Sequence, residues 1–258
     1  MIAATDTLDD NIFAAAPQLR VISRVGTGLD SIDLKAAEHR GIQIFRTADA
    51  PAEAVAELTF GLILNVFRHV SEADRAFRLG TWKSLMGNLL YGKTIGLVGL
   101  GRVGRRLVEL LTPLNVKVLA LELYPDKNFV RKHRIQLVSL PKLLRSSDIV
   151  SMHLTLNEKT REMMGDKEFG QMKLGSVFIN TARGELIKEN ALVAALASGR
   201  IKGAGLDVFS KEPYNGPFLQ CPNTVLTCHM GTYAEETRNL MEIEAAKNVI
   251  VGLRKRRP

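Results

Sequence analysis

Cysteine is scarce: there are two in 258 residues, Cys221 and Cys228, too few for a disulfide framework. Cys228 precedes His229, but two cysteines and one adjacent histidine lack the ligand spacing of a zinc site, so no metal is expected. Long apolar runs are lacking too. The longest, 58–67, is interrupted by Gly61 and Asn65 and falls short of the roughly 20 residues that span a bilayer, so no membrane partner is expected. The N-terminus, Met1-Ile2-Ala3-Ala4-Thr5-Asp6, has no basic segment followed by an apolar one. No secretory signal is therefore expected, and the default location is cytoplasmic. Repeats, low-complexity tracts and Gly/Ser linkers are missing. The remainder is ordinary for a soluble globular chain, 46% hydrophobic and 24% charged, with length for one large domain or two smaller ones. Net charge is +8, part of it in the terminal run Arg254-Lys255-Arg256-Arg257. That run reads as a solvated chain end and not as a nucleic-acid arm, while a general positive field suits anionic ligands.

Short β-rich runs alternate with helical patterns. Strands are expected at 19–23, 42–45, 94–98, 117–122, 148–153, 177–180, 204–208 and 224–227, with helices near 34–40, 102–111, 140–146, 167–172 and 189–198. Near-continuous apolar strands alternating with helices imply an α/β fold, a doubly wound parallel sheet covered on both faces. Two longer helices are expected, one from Ala52 to Leu79 and one from Ala234 to Leu253. Together these predict two domains, 1–49 with 233–258 and 50–232, joined by two crossings.

Gly99-Leu100-Gly101-Arg102-Val103-Gly104 follows the apolar run Thr94-Ile95-Gly96-Leu97-Val98 and opens a helical pattern that lasts until Pro113. A G-x-G-x-x-G between a buried strand and a helix is the Rossmann dinucleotide fingerprint: the turn admits the pyrophosphate and the helix N-terminus faces its charge. The next strand ends at Glu122. A carboxylate there accepts hydrogen bonds from ribose hydroxyls and repels a 2′-phosphate, which favours NAD over NADP.

Three more segments follow apolar strands: Asn180-Thr181-Ala182-Arg183-Gly184, then Leu206–Pro213, then Thr227-Cys228-His229-Met230-Gly231. Carboxyl ends of parallel strands share one edge of a doubly wound sheet, so Arg183, Asp207, Glu212 and His229 are expected to converge beside the cofactor.

These segments, with Arg24-Val25-Gly26-Thr27-Gly28-Leu29-Asp30-Ser31-Ile32-Asp33 and Val55-Ala56-Glu57-Leu58-Thr59, resemble the D-isomer-specific 2-hydroxyacid dehydrogenases. The resemblance covers nearly the whole chain, and 24–33 is most similar to D-3-phosphoglycerate dehydrogenases. It implies a Rossmann domain plus a flavodoxin-like substrate domain, and NAD-dependent hydride transfer to or from a small anionic 2-oxo or 2-hydroxy acid. By resemblance Arg183 grips the substrate carboxylate, His229 is the acid–base group and Glu212 orients it. The resemblance also carries cofactor contacts to Thr27, Gly99, Gly101, Arg102, Val103, Gly104, Glu122, Leu154, Thr181, Ala182, Asp207 and Gly231, and substrate contacts to Arg24 and to backbone N–H groups at Val25 and Gly26. Phosphoglycerate is the first expected substrate, glyoxylate or hydroxypyruvate the second, and a homodimer is expected.

Departures from the family pattern are Arg46-Thr47-Ala48 at the interdomain crossing, Thr155, Cys228, and Glu185 two residues after Arg183. None removes a reacting group, though Glu185 adds negative charge near Arg183. Family members carry a further strand-helix-strand-helix stretch ahead of the position of Met1, so the substrate domain is expected to be truncated, with an open sheet edge and part of the cleft wall missing. A second reading is an interaction protein, because the C-terminal-binding-protein corepressors share this fold, bind NAD and retain the same three groups. The chain does not show their extensions, and the enzyme reading is preferred.

Overall fold

The computed structural model describes residues 1–4 and 6–254; Lys255, Arg256 and Arg257 of the basic run lie outside them. The chain divides into two compact units, Met1–Ala54 with Thr232–Pro258, and Val55–Gly231. Among the described residues no helix is long and apolar enough to cross a membrane.

The first unit is built on a parallel sheet of order β1-β2-β3, from β1 (Ile2–Ala3), β2 (Val21–Arg24) and β3 (Gln43–Arg46). Alternation along β2 decides the layers. Ile22 joins Phe13 and Ala37, from helices α1 (Asp10–Ala15) and α2 (Leu34–His39), in one apolar cluster. Val21 points the other way, against Gly252 of the C-terminal helix Glu235–Arg254, where Phe45 also meets it. Sequence patterning does not anticipate β1. It lies along β2, with the Ser23 N–H donating to Met1 O at 2.9 Å and the Val25 N–H to Ala3 O at 2.8 Å, and is the edge strand of this sheet.

The second unit opens with α3 (Pro51–Arg68), whose first residues belong to the other unit, and α4 (Val70–Arg78). A single helix was expected across 52–79. The break falls at His69, in the left-handed region at φ 57°. Asn65 and Ser71 are paired across it, the Asn65 amide donating to Ser71 Oγ at 2.7 Å and the Ser71 N–H to Asn65 Oδ1 at 2.9 Å. Such side chains compete with the helix for backbone groups.

A seven-stranded sheet follows: β4 (Thr94–Val98), β5 (Lys117–Leu121), β6 (Gln136–Leu137), β7 (Ile149–Met152), β8 (Ser176–Asn180), β9 (Ile201–Leu206) and β10 (Thr224–Leu226). Its order is β10-β9-β8-β7-β4-β5-β6, every pair parallel. The order reverses at β4, the switch point where open α/β sheets bind ligands. Helices α5 (Arg102–Leu111), α6 (Lys127–Lys132), α7 (Leu140–Ser146), α8 (Asp166–Gln171) and α9 (Glu189–Ala197) connect the strands. Of these only α6, like β6, goes unread in the sequence. Glycine sets the closest approaches of helix to sheet. A Cβ on Gly203 of β9 would stand 2.8 Å from Val66 of α3, and one on Gly205 3.1 Å from Leu62. Two buried clusters, one on Phe169 and Phe178 and one on Ile95, Leu97 and Leu107, form the core; truncating a buried phenylalanine of this kind costs about 3–5 kcal/mol.

Candidate active site

Because every strand of the large sheet is parallel, six chain segments leave it on one edge: after β4 the glycine turn, after β5 Glu122, after β7 His153 and Leu154, after β8 Arg183, after β9 Asp207 and Glu212, after β10 His229.

Each glycine of the turn meets a different demand. Gly99 has φ 103°, and a Cβ there would stand 2.6 Å from the carbonyl of His153, with Leu154 beside it. Gly104 is buried, and its Cβ would stand 2.8 Å from Gly99 O, so α5 sits tight on the turn. Gly101 alone has open space, with nothing within 4 Å of the position of a Cβ. It is the N-cap of α5 and supplies no side-chain cap. The positive end of the helix, at Arg102 and Val103, is therefore set for an anion. Glu122 closes the site from β5. Its carboxylate accepts from the Leu100 N–H at 2.8 Å and the Tyr124 N–H at 3.0 Å. Burial opposes its ionisation, but these hydrogen bonds and the charge of Arg105 outweigh it and hold the carboxyl below its ordinary range. This combination fits a dinucleotide. Replacing Gly101 by alanine puts a methyl group into space that the fold leaves open. Gly101→Ala is expected to keep the wild-type Tm and to weaken NADH binding at least about ten-fold. Fluorescence titration of NADH beside a thermal melt checks this; unchanged NADH affinity would remove the pyrophosphate from the turn.

At the other end of the edge, Glu212 and His229 meet. His229 Nδ1 and Glu212 Oε2 are 2.7 Å apart, and the second carboxylate oxygen accepts from the Phe209 N–H at 3.0 Å. Burial pushes the Glu212 carboxyl up, but the hydrogen bonds from His229 and Phe209 and the positive charge of Arg183 prevail, and it is held below its ordinary value. An ionised carboxylate only accepts, so Nδ1 carries the ring proton shared with Glu212 and Nε2 is left for exchange. His229 has φ 53°, a conformation that costs a non-glycine residue on the order of 1–3 kcal/mol and persists only where its surroundings impose it.

The sequence also names residues whose polar groups are engaged elsewhere. Thr181 is buried with its hydroxyl 2.8 Å from that of Thr59, which in turn donates to Val55 O at 2.6 Å. Ala182 donates its N–H to Asn180 Oδ1 at 3.0 Å, and Gly231 donates to Asp207 Oδ2 at 2.9 Å. Glu185 lines a concavity of about 500 Å³ with Glu162, Asp166, Lys188 and Glu189.

Arg24, Val25, Gly26 and Thr27 lie in the other unit. There Arg24 donates to Val25 O at 2.6 Å and Thr27 Oγ1 to Thr47 O at 3.4 Å. The N–H groups expected to hold a carboxylate are already donated, Val25 to Ala3 O at 2.8 Å and Gly26 to Thr47 Oγ1 at 2.8 Å. Ala3 lies on β1 and Thr47 directly after β3, pairings that motif text does not reveal. Asn180 and Gly184 were missed; the available signal was a polar residue closing an apolar strand and a glycine following the arginine.

Residues 60–231 match the model of the family described as D-isomer specific 2-hydroxyacid dehydrogenase, NAD binding domain. The chain is 37% identical over 254 residues to a glyoxylate reductase of Korarchaeum cryptofilum, covering 95% of this chain and 76% of that one. It is 35% identical to a D-3-phosphoglycerate dehydrogenase of Methanocaldococcus jannaschii, covering 95% of this chain and 47% of the relative. Among solved structures, the TT0316 protein from Thermus thermophilus superposes with a TM-score of 0.92 at 35% identity, over 100% of this chain and 83% of that one.

Proposed function

Because the chain belongs to the D-isomer specific 2-hydroxyacid dehydrogenase family, and is thereby a nicotinamide-dependent oxidoreductase, we propose that it reduces a small 2-oxo acid to the D-2-hydroxy acid. Glyoxylate or hydroxypyruvate stands ahead of the phosphoglycerate couple. The observation that carries this reading is the Glu212–His229 pair at 2.7 Å, with Arg183 close enough to lower the Glu212 carboxyl. The substrate order read from 24–33 is reversed because the glyoxylate reductase is 37% identical over 254 residues and the phosphoglycerate dehydrogenase 35% over 248. Both are named for turnover, and the interaction-protein reading gains nothing from them.

The nicotinamide, when bound, supplies the hydride. The chain's own groups do the rest. Arg183 presents a planar guanidinium that binds a carboxylate in two parallel hydrogen bonds and polarises the adjacent carbonyl. His229 Nε2 delivers the proton to the carbonyl oxygen as negative charge develops there. Glu212 accepts from Nδ1–H and orients the ring, so the proton delivered is the second one, carried on Nε2 of the doubly protonated ring. Glu122 repels a 2′-phosphate, so NADH is the preferred form. For the expected homodimer the large unit offers exposed apolar side chains along 77–91: Phe77, Leu79, Trp82, Met86, Leu89 and Tyr91.

Loss of NADH absorbance with glyoxylate, hydroxypyruvate, phosphohydroxypyruvate and pyruvate tests the reading. Turnover is expected with glyoxylate or hydroxypyruvate, at higher kcat/KM with NADH than with NADPH. Binding of NADH without turnover of any of the four acids would sink it.

A further inference from the structure

Resemblance gives Asp207 to the cofactor and leaves Asn180 without a role. The geometry points to a different task for both: Asn180 and Asp207 are positioning residues, a linked pair of braces that holds Arg183 and His229 in register with each other. This inference rests on the proposed roles of those two groups.

Asn180 ends β8, and Asp207 follows the last residue of the adjacent strand β9. They are 0% and 1% exposed. A buried amide or carboxylate is tolerated only where its hydrogen bonds are met, and the partners here are specific. Asn180 Nδ2 donates to the carbonyl of Arg183 at 2.8 Å, and Asn180 Oδ1 accepts from the Ala182 N–H at 3.0 Å. The amide thus spans the turn, holding the carbonyl of Arg183 and the N–H of the residue before it. Asp207 does the same for the segment after β10. Its Oδ1 accepts from Thr227 Oγ1 at 2.6 Å and the Met230 N–H at 2.9 Å, and its Oδ2 accepts from the Gly231 N–H at 2.9 Å. Its main-chain carbonyl accepts from the N–H of His229 itself at 2.8 Å. Four hydrogen bonds from one residue bracket His229 on both sides, and this explains how a non-glycine residue is kept at φ 53°.

The braces are joined, because the Asp207 N–H donates to the carbonyl of Asn180 at 3.0 Å. One ladder bond therefore connects the mount of the carboxylate-gripping group to the mount of the proton-transferring group. Chemistry between a held carboxylate and a proton donor depends on that spacing. Three donors already occupy the Asp207 carboxylate, two of them on Oδ1, so its acceptor capacity is spent mainly on the His229 segment.

Asp207→Asn keeps size and burial but turns an amide N–H toward donors, and Asn180→Ala removes the other brace. Both are compared with the full-length wild type by steady-state kinetics, by NADH fluorescence titration, and by the pH titration of the His229 ring carbon proton in NMR, assigned with His229→Asn. Asp207→Asn is expected to lower kcat about ten- to hundred-fold, to shift the His229 titration, and to leave NADH affinity within about two-fold. Asn180→Ala is expected to raise KM for the 2-oxo acid more than it lowers kcat. Should Asp207→Asn fail to fold, Thr227→Val removes a single bond of the same brace and is expected to move kcat and the His229 titration in the same direction by less. An Asp207→Asn protein with NADH affinity weakened beyond about ten-fold, and wild-type kcat at saturation, would make Asp207 a cofactor contact and overturn the inference. So would folded variants with wild-type KM, kcat and His229 titration. If the wild type turns over none of the acids, the functional proposal fails separately, and the His229 titration in Asp207→Asn still decides the brace.

Discussion

His229→Ala is expected to lower kcat by about 10²- to 10⁴-fold, the range that a single acid–base group supplies, while NADH still binds with near-wild-type affinity. The two halves of this expectation come from different places in the fold. The glycine turn follows β4 at the sheet's switch point, whereas His229 follows β10 at the sheet's far edge. Alanine removes Nε2 together with the ring that Glu212 holds by Nδ1 at 2.7 Å. Steady-state kinetics with the best acid from the panel, together with NADH fluorescence titration, checks both halves. A variant within ten-fold of wild-type kcat would take the proton-transfer role away from His229. The Glu212 carboxyl is held below its ordinary 4.5, so the stability it contributes is fully present above that pH and is lost only as the pH falls through the lower folded value.

What could be read in the sequence is what depends on neighbours along the chain. The glycine turn was legible because the demands at Gly99, Gly101 and Gly104 are backbone demands, and a strand before and a helix after fix the context. Arg183, Glu212 and His229 were legible because each follows an apolar run, and parallel strands deliver such residues to one edge. The break at His69 was not, because apolar spacing continues through it while the Asn65–Ser71 pair decides otherwise. Strand β1 escaped because two residues carry no period, and its existence depends on pairing with β2 twenty residues away. The same distance hid the fate of the Val25 and Gly26 N–H groups, which go to Ala3 and Thr47. For Asn180 and Asp207 the sequence shows position but not partners. A polar residue at a strand end reads equally well as a ligand or as a brace, and only the atoms that its oxygen and nitrogen reach separate the two.

Gly184→Ala carries the largest expected effect on the integrity of the site. Gly184 is buried directly after Arg183, and a Cβ there would lie inside the peptide joining Phe209 to Ser210. Those are backbone atoms, so no side-chain rotation relieves the overlap. Either the turn carrying Arg183 or the segment carrying Glu212 has to move. Both are tied down, the first by Asn180 and the second by the Phe209 N–H bonded to Glu212 Oε1 at 3.0 Å. Overpacking of this kind costs about 3 kcal/mol, or roughly 6–12 °C in Tm for a domain of this size. Activity is expected to fall further than the loss of folded protein explains, because the movement separates Arg183 from Glu212. Gly170→Ala in α8 provides the contrast. No atom lies within 4 Å of its Cβ position and the residue is helical, so the same chemical change there is expected to raise stability by about 0.5–1 kcal/mol. Thermal melts of the two variants, with kcat measured on the folded fraction, test the argument. A Gly184→Ala protein that melts with the wild type would show that the Arg183 and Glu212 segments are not in contact through this residue.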